Sequence, residues 1–312
     1  MSFEIKPATR VGVRPLIVPY SESGCGKTYS SLLLARGLAG PTGKIVVADS
    51  ESRRASLYAD VIPGGFDTFD LCEPFSPARY IEAINAIEDS GAAVGIIDSG
   101  SHEWENSGGV LDMAGDNEQR SGKSGLHNWK TPKMEHAKFV QRLLRTRIPF
   151  IVCLRAKHKS RQTKDERGKT CIVKDDFCSP VQADDFIFEA TAHMEILSDH
   201  SIHLTKCSHP TLRACFPEKG PITIAHGEAL AKWCNAPAAA AAPVTTAKPK
   251  EDLATLKREL WDLTKPKHGG DKAKFVQFLV DEALIDPATP VEELSAENLK
   301  AVLAATKKKL NP

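Results

Sequence analysis

Short apolar runs alternate with amphipathic segments through the first half of this 312-residue sequence. The apolar runs lie at 16–18, 45–48, 94–97 and 150–154, and the amphipathic segments lie at 28–38, 78–87 and 133–144. A strand, a helix and a second strand form the repeating unit of a parallel sheet. The alternation therefore predicts an α/β fold with a mostly parallel sheet. Beyond Phe186 the pattern predicts a late β-hairpin region, with strands at 193–197, 201–206 and 211–216.

An alanine- and proline-rich stretch at 236–250 divides the sequence. Its large apolar residues are limited to Val244 and it contains three prolines, so it predicts a semi-extended linker. Three segments with helical spacing follow at 252–264, 272–283 and 296–310, with breaks at Lys265-Pro266 and Asp286-Pro287. We therefore predict an α/β core at 1–235, a linker at 236–250 and a small helical module at 251–312.

The overall composition excludes several classes of protein. Lysine and arginine number 41 against 40 acidic residues, and 41% of the residues are hydrophobic, as in a globular protein. No apolar run approaches the roughly 20 residues of a membrane span, and the first residues lack the apolar segment of a signal peptide. We therefore expect a cytoplasmic protein without a membrane partner. The eight cysteines include no C-x-x-C pair, so we expect neither a disulfide framework nor a zinc cage.

Residues 21–28 read Ser-Glu-Ser-Gly-Cys-Gly-Lys-Thr, between the first predicted strand and the first predicted helix. This is the context of a P-loop, whose glycines let backbone N–H groups point at phosphate oxygens. Lys27 would reach the β- and γ-phosphates, and the Thr28 hydroxyl would bind Mg²⁺. Ser21 replaces the first glycine of the usual pattern. The alternative is a β–α turn with an incidental Lys-Thr pair. The predicted nucleotide-binding residues are Ser23, Gly24, Cys25, Gly26, Lys27, Thr28 and Tyr29.

Two acidic residues follow later strands. Asp98 ends the strand at 94–97. Because the carboxyl ends of parallel strands line one crevice, we expect Asp98 beside the P-loop, where it would hold Mg²⁺. Glu51 follows the strand at 45–48 and would activate the attacking water as a general base. From the residues alone, a helix N-cap or a solvated acid is an equally good interpretation of Glu51.

The order of these landmarks resembles that of the RecA-type ATPase core. Asp49-Ser50-Glu51 is similar to the strand end that carries the catalytic base of that family, and Ile97-Asp98-Ser99 is similar to its Walker B strand. The stretch 97–105, Ile-Asp-Ser-Gly-Ser-His-Glu-Trp-Glu, resembles a signature of phage-encoded RecA-like ATP-binding proteins, which include ATPases of single-strand annealing and recombination. The resemblance covers residues 15–224. It implies a RecA-like core, ATP and Mg²⁺ as cofactors, and catalytic roles for Lys27 and Glu51.

The resemblance also implies roles for three basic residues. Arg155 follows the strand at 150–154, where RecA has the residue that senses the γ-phosphate, although that residue is an uncharged amide. RecA-like assemblies complete each ATP site with basic residues of the next subunit, and Lys206 and Arg213 lie in the comparable region. We therefore expect a homo-oligomer, either a ring or a filament. A solvated hairpin face is at least as good an interpretation of Lys206 and Arg213.

Positive charge is concentrated at 155–174, where eight lysines and arginines stand against Asp165 and Glu166, a net charge of +6. We predict a mobile basic loop, similar to the second DNA-binding loop of RecA-like proteins, that binds single-stranded DNA through its phosphates. The counterpart of the first loop is 105–133, where Trp129 would stack on a base or anchor the next helix. A merely solvated loop is the alternative. The predicted DNA-binding residues are Lys157, Lys159, Arg161, Lys164, Arg167 and Lys169.

Taken together, these features predict a DNA-stimulated ATPase that binds single-stranded DNA in recombination or annealing, in the host cytoplasm if phage-encoded. A nucleotide-binding accessory protein, such as a helicase loader or packaging partner, is the alternative. A small-molecule P-loop kinase fits less well, because the basic segment follows the sensor strand. The module at 251–312 would recruit a partner, such as a single-strand-binding protein, or would touch DNA ends.

Overall fold

The computed structural model describes residues 8–164, 170–236, 253–285 and 296–310. The chain separates into two compact units, residues 1–238 and 239–312. Within the described ranges, no helix is both long enough and apolar enough to cross a membrane. Most of the predicted linker lies outside the described residues.

Strands and helices alternate through most of the first unit. Its strands are β1 (Leu16–Ser21), β2 (Ile45–Asp49), β3 (Asp67–Asp70), β4 (Val94–Asp98), β5 (Phe150–Lys164), β6 (Thr170–Pro180), β7 (Ala192–Ile196) and β8 (Ile202–Cys207). Its helices are α1 (Lys27–Ala39), α2 (Pro77–Asp89), α3 (Ser101–Glu105), α4 (Val110–Ser121), α5 (Lys130–Leu144), α6 (Phe186–Glu189), α7 (Pro210–Arg213) and α8 (Ile224–Asn235).

The strands of the described residues form one sheet in the order β3-β2-β4-β5-β1-β7-β8, with β6 paired to β5. All pairs are parallel except β7 with β8 and β5 with β6. The predicted α/β fold class, with its mostly parallel sheet and late hairpin, is confirmed. β5 separates β1 from β4, so the strand before the P-loop is not the direct neighbour of the strand that ends at Asp98.

Helices cover both faces of this sheet. Ile17 and Val47 belong to a core cluster that also contains residues of α1 and α8. Val18 and Val46 belong to a second cluster with residues of α2 and α5. Because successive side chains of a strand point to opposite faces, strands buried on both faces must be apolar at every position. This explains the continuous apolar runs of the sequence.

Helices α1 and α8 meet backbone to backbone. A Cβ added to Gly37 would lie 2.1 Å from the carbonyl oxygen of Ile224, and one added to Gly227 would lie 2.2 Å from that of Leu34. No side chain fits at either position. The helix that follows the P-loop is therefore seated directly on the last helix of the first unit.

In its described residues, the basic segment at 155–174 is not the loop that we expected but part of a two-stranded ribbon. β5 continues to Lys164 and pairs with β6 from Ala156↔Pro180 to Lys164↔Thr170. We call residues 156–164 and 170–180 the ribbon. Cations recur at every second position from 155 to 161, which is the period of a strand. The sequence did not indicate a strand here because the segment has few apolar residues. The backbone hydrogen bonds that hold an antiparallel ribbon together leave no pattern in the sequence.

Two other expectations for the first unit were wrong in detail. The segment 211–216 is not a strand, because Pro210 and the imidazole of His209, which accepts a hydrogen bond from the Thr211 amide, start the short helix α7 there. The segment 105–133 contains α4 and a 3₁₀ turn at Leu126–Trp129 rather than one open loop.

The second unit contains three helices in its described residues: α9 (Leu253–His268), α10 (Lys272–Asp281) and α11 (Ala296–Leu310). Leu260, Leu279 and Leu299 are fully buried in their common core. The expected break at Lys265-Pro266 was wrong, since α9 continues through Pro266 to His268. Pro266 lies in the last turn, so only Lys267 and His268 of the helix follow it. Little of the helix therefore depends on the hydrogen bond that Pro266 cannot donate.

Candidate nucleotide-binding site

Two glycines shape the loop between β1 and α1. Gly24 and Gly26 have φ angles of +89° and +92°, in the left-handed region that residues with a Cβ rarely adopt. Gly26 directly precedes α1, and no side chain caps that helix. The first N–H groups of α1 therefore remain available to an anionic ligand.

Lys27 folds back on this loop. Its Nζ donates to the main-chain oxygens of Ser21 and Glu22, each at 3.0 Å, and to Ser21 Oγ at 3.2 Å. Ser21, at the position of the first glycine of the usual pattern, is buried and is not among the residues with positive φ. Glycine is therefore not required there, and the serine hydroxyl gives Lys27 an additional acceptor.

Thr28 and Asp98 are in direct contact. Thr28 Oγ1 donates to Asp98 Oδ2 at 2.5 Å, although the two strands that position them are separated by β5. A hydroxyl and a carboxylate are hard oxygen donors of the kind that Mg²⁺ takes in proteins. The pair therefore fits this ion by its chemistry and by its position beside the P-loop.

Asp98 is a buried carboxylate whose neighbours only partly offset the cost of burying its negative charge. Burial, the largest effect, raises its pKa to about 6, against the hydrogen bond from Thr28 and the charge of Lys27. The neighbouring carboxylates of Glu51 and Asp49 raise it further. A cation bound at this position would supply the missing positive charge and would keep Asp98 ionised.

Glu51 and Arg155 form a bidentate ion pair. Arg155 Nε lies 2.7 Å from Glu51 Oε1, and Arg155 Nη2 lies 2.9 Å from Oε2. Burial alone would raise the pKa of Glu51, but the hydrogen bonds and charge of Arg155, with His102 and Arg54, bring this pKa below its usual value. Glu51 is thus ionised and neither a helix N-cap nor a solvated acid, and Arg155 occupies the oxygens that would bind water.

The turn that carries Glu51 is braced by Asp49. The carboxylate of Asp49 accepts hydrogen bonds from the amides of Glu51, at 2.7 Å, and Ala55, at 2.8 Å. Between them, Ser52 and Arg53 have positive φ angles of 59° and 65°. Non-glycine residues adopt this conformation when the surrounding structure holds them in it. Asp49 therefore positions Glu51 at the end of β2.

His102 lies behind the same ion pair. Its Nδ1 lies 2.8 Å from Ser50 Oγ, and its Nε2 lies 3.7 Å from Glu51 Oε1 without a hydrogen-bond partner. Burial, followed by the charge of Arg155, lowers the pKa of His102. Glu103, by contrast, is fully buried and contacts His136 and Gln182 instead.

These residues surround a pocket of about 500 Å³. Its lining comprises Ser23, Gly24, Gly26, Lys27, Thr28, Glu51, Arg54, Leu57, Tyr58, Asp98, Arg155 and Ala156. Arg54, Leu57 and Tyr58 were not expected from the sequence, and only their place after the strand end at Glu51 could have indicated them. Tyr58 packs edge-on against Tyr29, with ring centroids 6.4 Å apart. Cys25 does not line the pocket, and its carbonyl oxygen lies 2.9 Å from His200 Nδ1.

The predicted trans-acting residues lie outside this pocket. Lys206 Nζ donates to the carbonyl oxygens of Ile187, Phe188 and Ala190, at the end of α6. Arg213 is exposed in the last turn of α7. A role at a neighbour's nucleotide stays a prediction for both residues, and Lys206 would have to give up three hydrogen bonds to perform it.

Four of the predicted DNA-binding residues, Lys157, Lys159, Arg161 and Lys164, belong to the ribbon. Lys157 is exposed and pairs with Glu105 at 3.0 Å. Lys159, Arg161 and Lys164 belong to β5. Arg167 and Lys169 lie outside the described residues. Their roles in DNA binding stay predictions.

No family model and no curated protein matches the sequence. Solved structures similar to this chain include an ATPase from the type III secretion system of pathogenic bacteria, with a TM-score of 0.33, 12% identity, and coverage of 94% of this chain and 79% of that chain. An ATP synthase subunit from Nanoarcheaum equitans is similar with a TM-score of 0.37, 10% identity, and coverage of 96% and 71%.

Proposed function

We propose that this chain binds Mg·ATP and hydrolyses it in the pocket between the P-loop, the ends of β2 and β4, and Arg155 of β5. The observation that carries the proposal is the contact between Thr28 and Asp98 beside the two left-handed glycines. This contact brings a hydroxyl, and a buried carboxylate whose negative charge is only partly offset, to the start of a helix whose first N–H groups are uncapped. Phosphate oxygens and a hard cation complement these two features.

The residues of the pocket would have separate roles in the reaction. Backbone N–H groups from Gly24 to Thr28 would hold the phosphates, and Lys27 would turn from its loop acceptors to the β- and γ-phosphates. Thr28 and Asp98 would hold Mg²⁺, which neutralises charge that develops on the phosphate oxygens. Glu51 would orient the attacking water and accept its proton.

The ion pair between Glu51 and Arg155 gives this mechanism a starting state. While Arg155 binds both Glu51 oxygens, the carboxylate cannot hold a water molecule. A γ-phosphate in the pocket offers Arg155 an alternative anion, so the guanidinium would move to the phosphate and release Glu51. Arg155 would thus sense the nucleotide and stabilise the charge of the transition state.

Replacement of the phosphate-binding lysine tests the proposal. Lys27→Ala removes the cation that contacts the β- and γ-phosphates, so we expect turnover to fall by at least about 10²–10³-fold. Nucleotide affinity, measured by titration calorimetry, should fall as well. Lys44→Ala, which removes a surface lysine paired with Asp67, is the matched control. Wild-type affinity and turnover in Lys27→Ala would refute the assignment.

We further propose single-stranded DNA as the partner of the ribbon, and recombination or annealing as the process. The support is the net charge of +6 at 155–174 in a chain whose total charge is +1. Arg155, which pairs with Glu51, directly precedes the ribbon. ATP state would therefore reach the DNA-binding segment through one residue.

The salt dependence of DNA binding tests this proposal. Replacing Lys159, Arg161, Lys164 and Arg167 with alanine should weaken binding to all sequences alike. The slope of log K against log salt should fall by up to about 0.7 for each phosphate group that the variant no longer neutralises. Fluorescence anisotropy of a labelled oligonucleotide measures both. An unchanged slope would mean that the ribbon does not bind phosphates.

We propose a cytoplasmic homo-oligomer, a ring or a filament, in which Lys206 or Arg213 approaches the neighbour's nucleotide. The helical module would recruit a partner such as a single-strand-binding protein.

A nucleotide-binding accessory protein is the second candidate. The observation that favours it is the occupation of both Glu51 oxygens by Arg155. A chain that kept this pair in the presence of ATP would bind nucleotide without brisk turnover, and would act by contact with its partner.

A further inference from the structure

The P-loop and the base of the ribbon share a cluster of metal-ligating side chains that the nucleotide mechanism does not use. One ligand atom each from Glu22, His158 and Cys178 lie within 4.8 Å of one another. Glu22 Oε1 and His158 Nε2 are 3.7 Å apart. The three residues come from three segments, since Glu22 follows β1, His158 belongs to β5 and Cys178 belongs to β6.

The backbone fixes two of these ligands relative to each other. His158 and Cys178 are direct partners in the antiparallel register of β5 and β6. Side chains of directly opposite residues lie on the same face, with Cβ atoms about 4.5–5.5 Å apart. The register of the ribbon shifts between His158 and Ser160, and the pairing resumes at Ser160↔Lys174. The pair is therefore held by the strands and does not depend on a mobile loop.

The donor set and its spacing select the kind of ion. A thiolate, an imidazole and a carboxylate suit Zn²⁺, whereas Mg²⁺ and Ca²⁺ take oxygen donors. At ordinary zinc distances of about 2.0–2.3 Å, the ligand atoms of a tetrahedral site stand roughly 3.3–3.8 Å apart. The cluster therefore needs to contract by about 1 Å. The side chains of Glu22 and His158 are 55% and 37% exposed, so they have room to do so.

We propose that Glu22, His158 and Cys178 bind one Zn²⁺ ion, with a water molecule as the fourth ligand. Three protein ligands and one open position form a recurrent zinc arrangement. The site goes beyond the nucleotide mechanism and uses none of the residues that line the nucleotide pocket. It revises the sequence-based expectation of no zinc site, because cysteine spacing cannot reveal ligands from three distant segments.

The position of the ion determines which two parts of the protein it would connect. The main-chain oxygen of Glu22 accepts a hydrogen bond from Lys27 Nζ, while the carboxylate of Glu22 reaches His158 on the ribbon. A zinc ion at this carboxylate would tie the loop that holds Lys27 to the first residues of the ribbon. The loop and the ribbon would then move together.

Metal binding without nucleotide tests the site. The untagged full-length protein is stripped with a chelator and titrated with Zn²⁺ against a chromophoric chelator. We expect one equivalent to bind. Substitution with Co²⁺ should give a near-ultraviolet thiolate-to-metal charge-transfer band, which reports ligation by a cysteine.

Variants assign the ligands. Cys178→Ser should abolish the Co²⁺ band, and Cys178→Ser and His158→Ala should each weaken Zn²⁺ binding by at least about 10–100-fold, the range seen even for loss of supporting groups around a metal. Cys72→Ser and His127→Ala, which alter an exposed thiol and an exposed imidazole elsewhere, should bind as wild type. Circular dichroism checks that each variant is folded.

Two outcomes would overturn the proposal. In the first, the wild-type protein binds no Zn²⁺ at micromolar free metal, and the cluster is then only an ion pair beside a thiol. In the second, folded Cys178→Ser binds Zn²⁺ as tightly as wild type. Because no nucleotide is present, either result is independent of whether Lys27→Ala removes ATP binding.

Discussion

Asp98 and Glu103 are two buried carboxylates on one short segment, and their surroundings differ. Glu103 is fully buried, with His136 Nδ1 at 3.0 and 3.1 Å from its two oxygens and Gln182 Nε2 at 3.2 Å. Gln182 also donates to the carbonyl oxygen of Gly100 at 3.1 Å. Among the described residues, Asp98 receives one side-chain hydrogen bond, from Thr28, and its pKa is raised to about 6.

The difference separates two uses of a buried acid. A carboxylate whose oxygens are all occupied by its own chain holds the structure together and has no capacity for a ligand. A carboxylate that is buried but undercompensated destabilises the protein until a cation arrives. Asp98 is of the second kind and Glu103 of the first. Glu51 is intermediate between these two kinds, because its oxygens are occupied by Arg155, which in the proposed mechanism moves to a phosphate.

The largest expected effect concerns Glu51. Glu51→Gln keeps the size of the side chain but cannot accept a proton, so turnover should fall by about 10²–10⁴-fold while ATP affinity stays nearly unchanged. A coupled phosphate-release assay and titration calorimetry measure the two quantities. Glu82→Gln, on the surface of α2, is the control. Equal turnover in Glu51→Gln would remove the residue from the chemistry.

The second effect concerns stability and Glu103. Glu103→Ala removes the acceptor of His136 and Gln182 and leaves a buried cavity, so the free energy of unfolding should fall by about 2–4 kcal/mol. Urea denaturation of the nucleotide-free protein measures this loss. Glu118→Ala, in an exposed position on α4, should change stability by less than about 0.5 kcal/mol. A loss confined to ATP turnover would contradict the structural role of Glu103.

The smallest expected effect is a gain in stability instead of a loss, and it concerns Asp98. Between about pH 4 and pH 6 the folded state holds a proton on Asp98 that the unfolded state has lost, so stability falls as the pH rises through this window. Asp98→Asn removes the penalty and should stabilise the nucleotide-free protein by about 2–3 kcal/mol above pH 6. The gain should vanish below about pH 4.

Thermal unfolding at several pH values checks this prediction. The melting temperature of Asp98→Asn should exceed that of wild type by roughly 5–10 °C at pH 7.5. The same variant should lose Mg²⁺-dependent turnover. A pH-independent difference between the two proteins would show that the buried charge of Asp98 is not its cause.

The parts of this site that the sequence predicted share one property: each depends on a local pattern. The glycines and Lys27 form a contiguous motif, and Asp98 and Glu51 each follow an apolar run. The contact between Glu51 and Arg155 could not be predicted in this way. It depends on the strand order β2-β4-β5, which brings together residues that are far apart in the chain. Glu22, His158 and Cys178 also come from distant segments of the chain, so their proximity could not be predicted from a local pattern either.

The errors also have physical reasons. The ribbon was interpreted as a loop because it has few apolar residues, although its cations recur with the period of a strand. The break at Pro266 was expected because proline disrupts the interior of a helix, but in the last turn it removes little. The short edge strand β3 was missed because its sequence, Asp-Thr-Phe-Asp, contains a single apolar residue and is too short to show an alternation.

The contact between Gly37 and Gly227 has a consequence for the order in which the protein is made. Residue 37 leaves the ribosome early, whereas residue 227 leaves it only when almost the whole first unit has been synthesised. Until then the helix that presents Lys27 and Thr28 has no surface on which to seat its glycine. The core that contains α1 is therefore complete only once α8 has emerged, and the proposed nucleotide binding would begin only when the first unit has been synthesised.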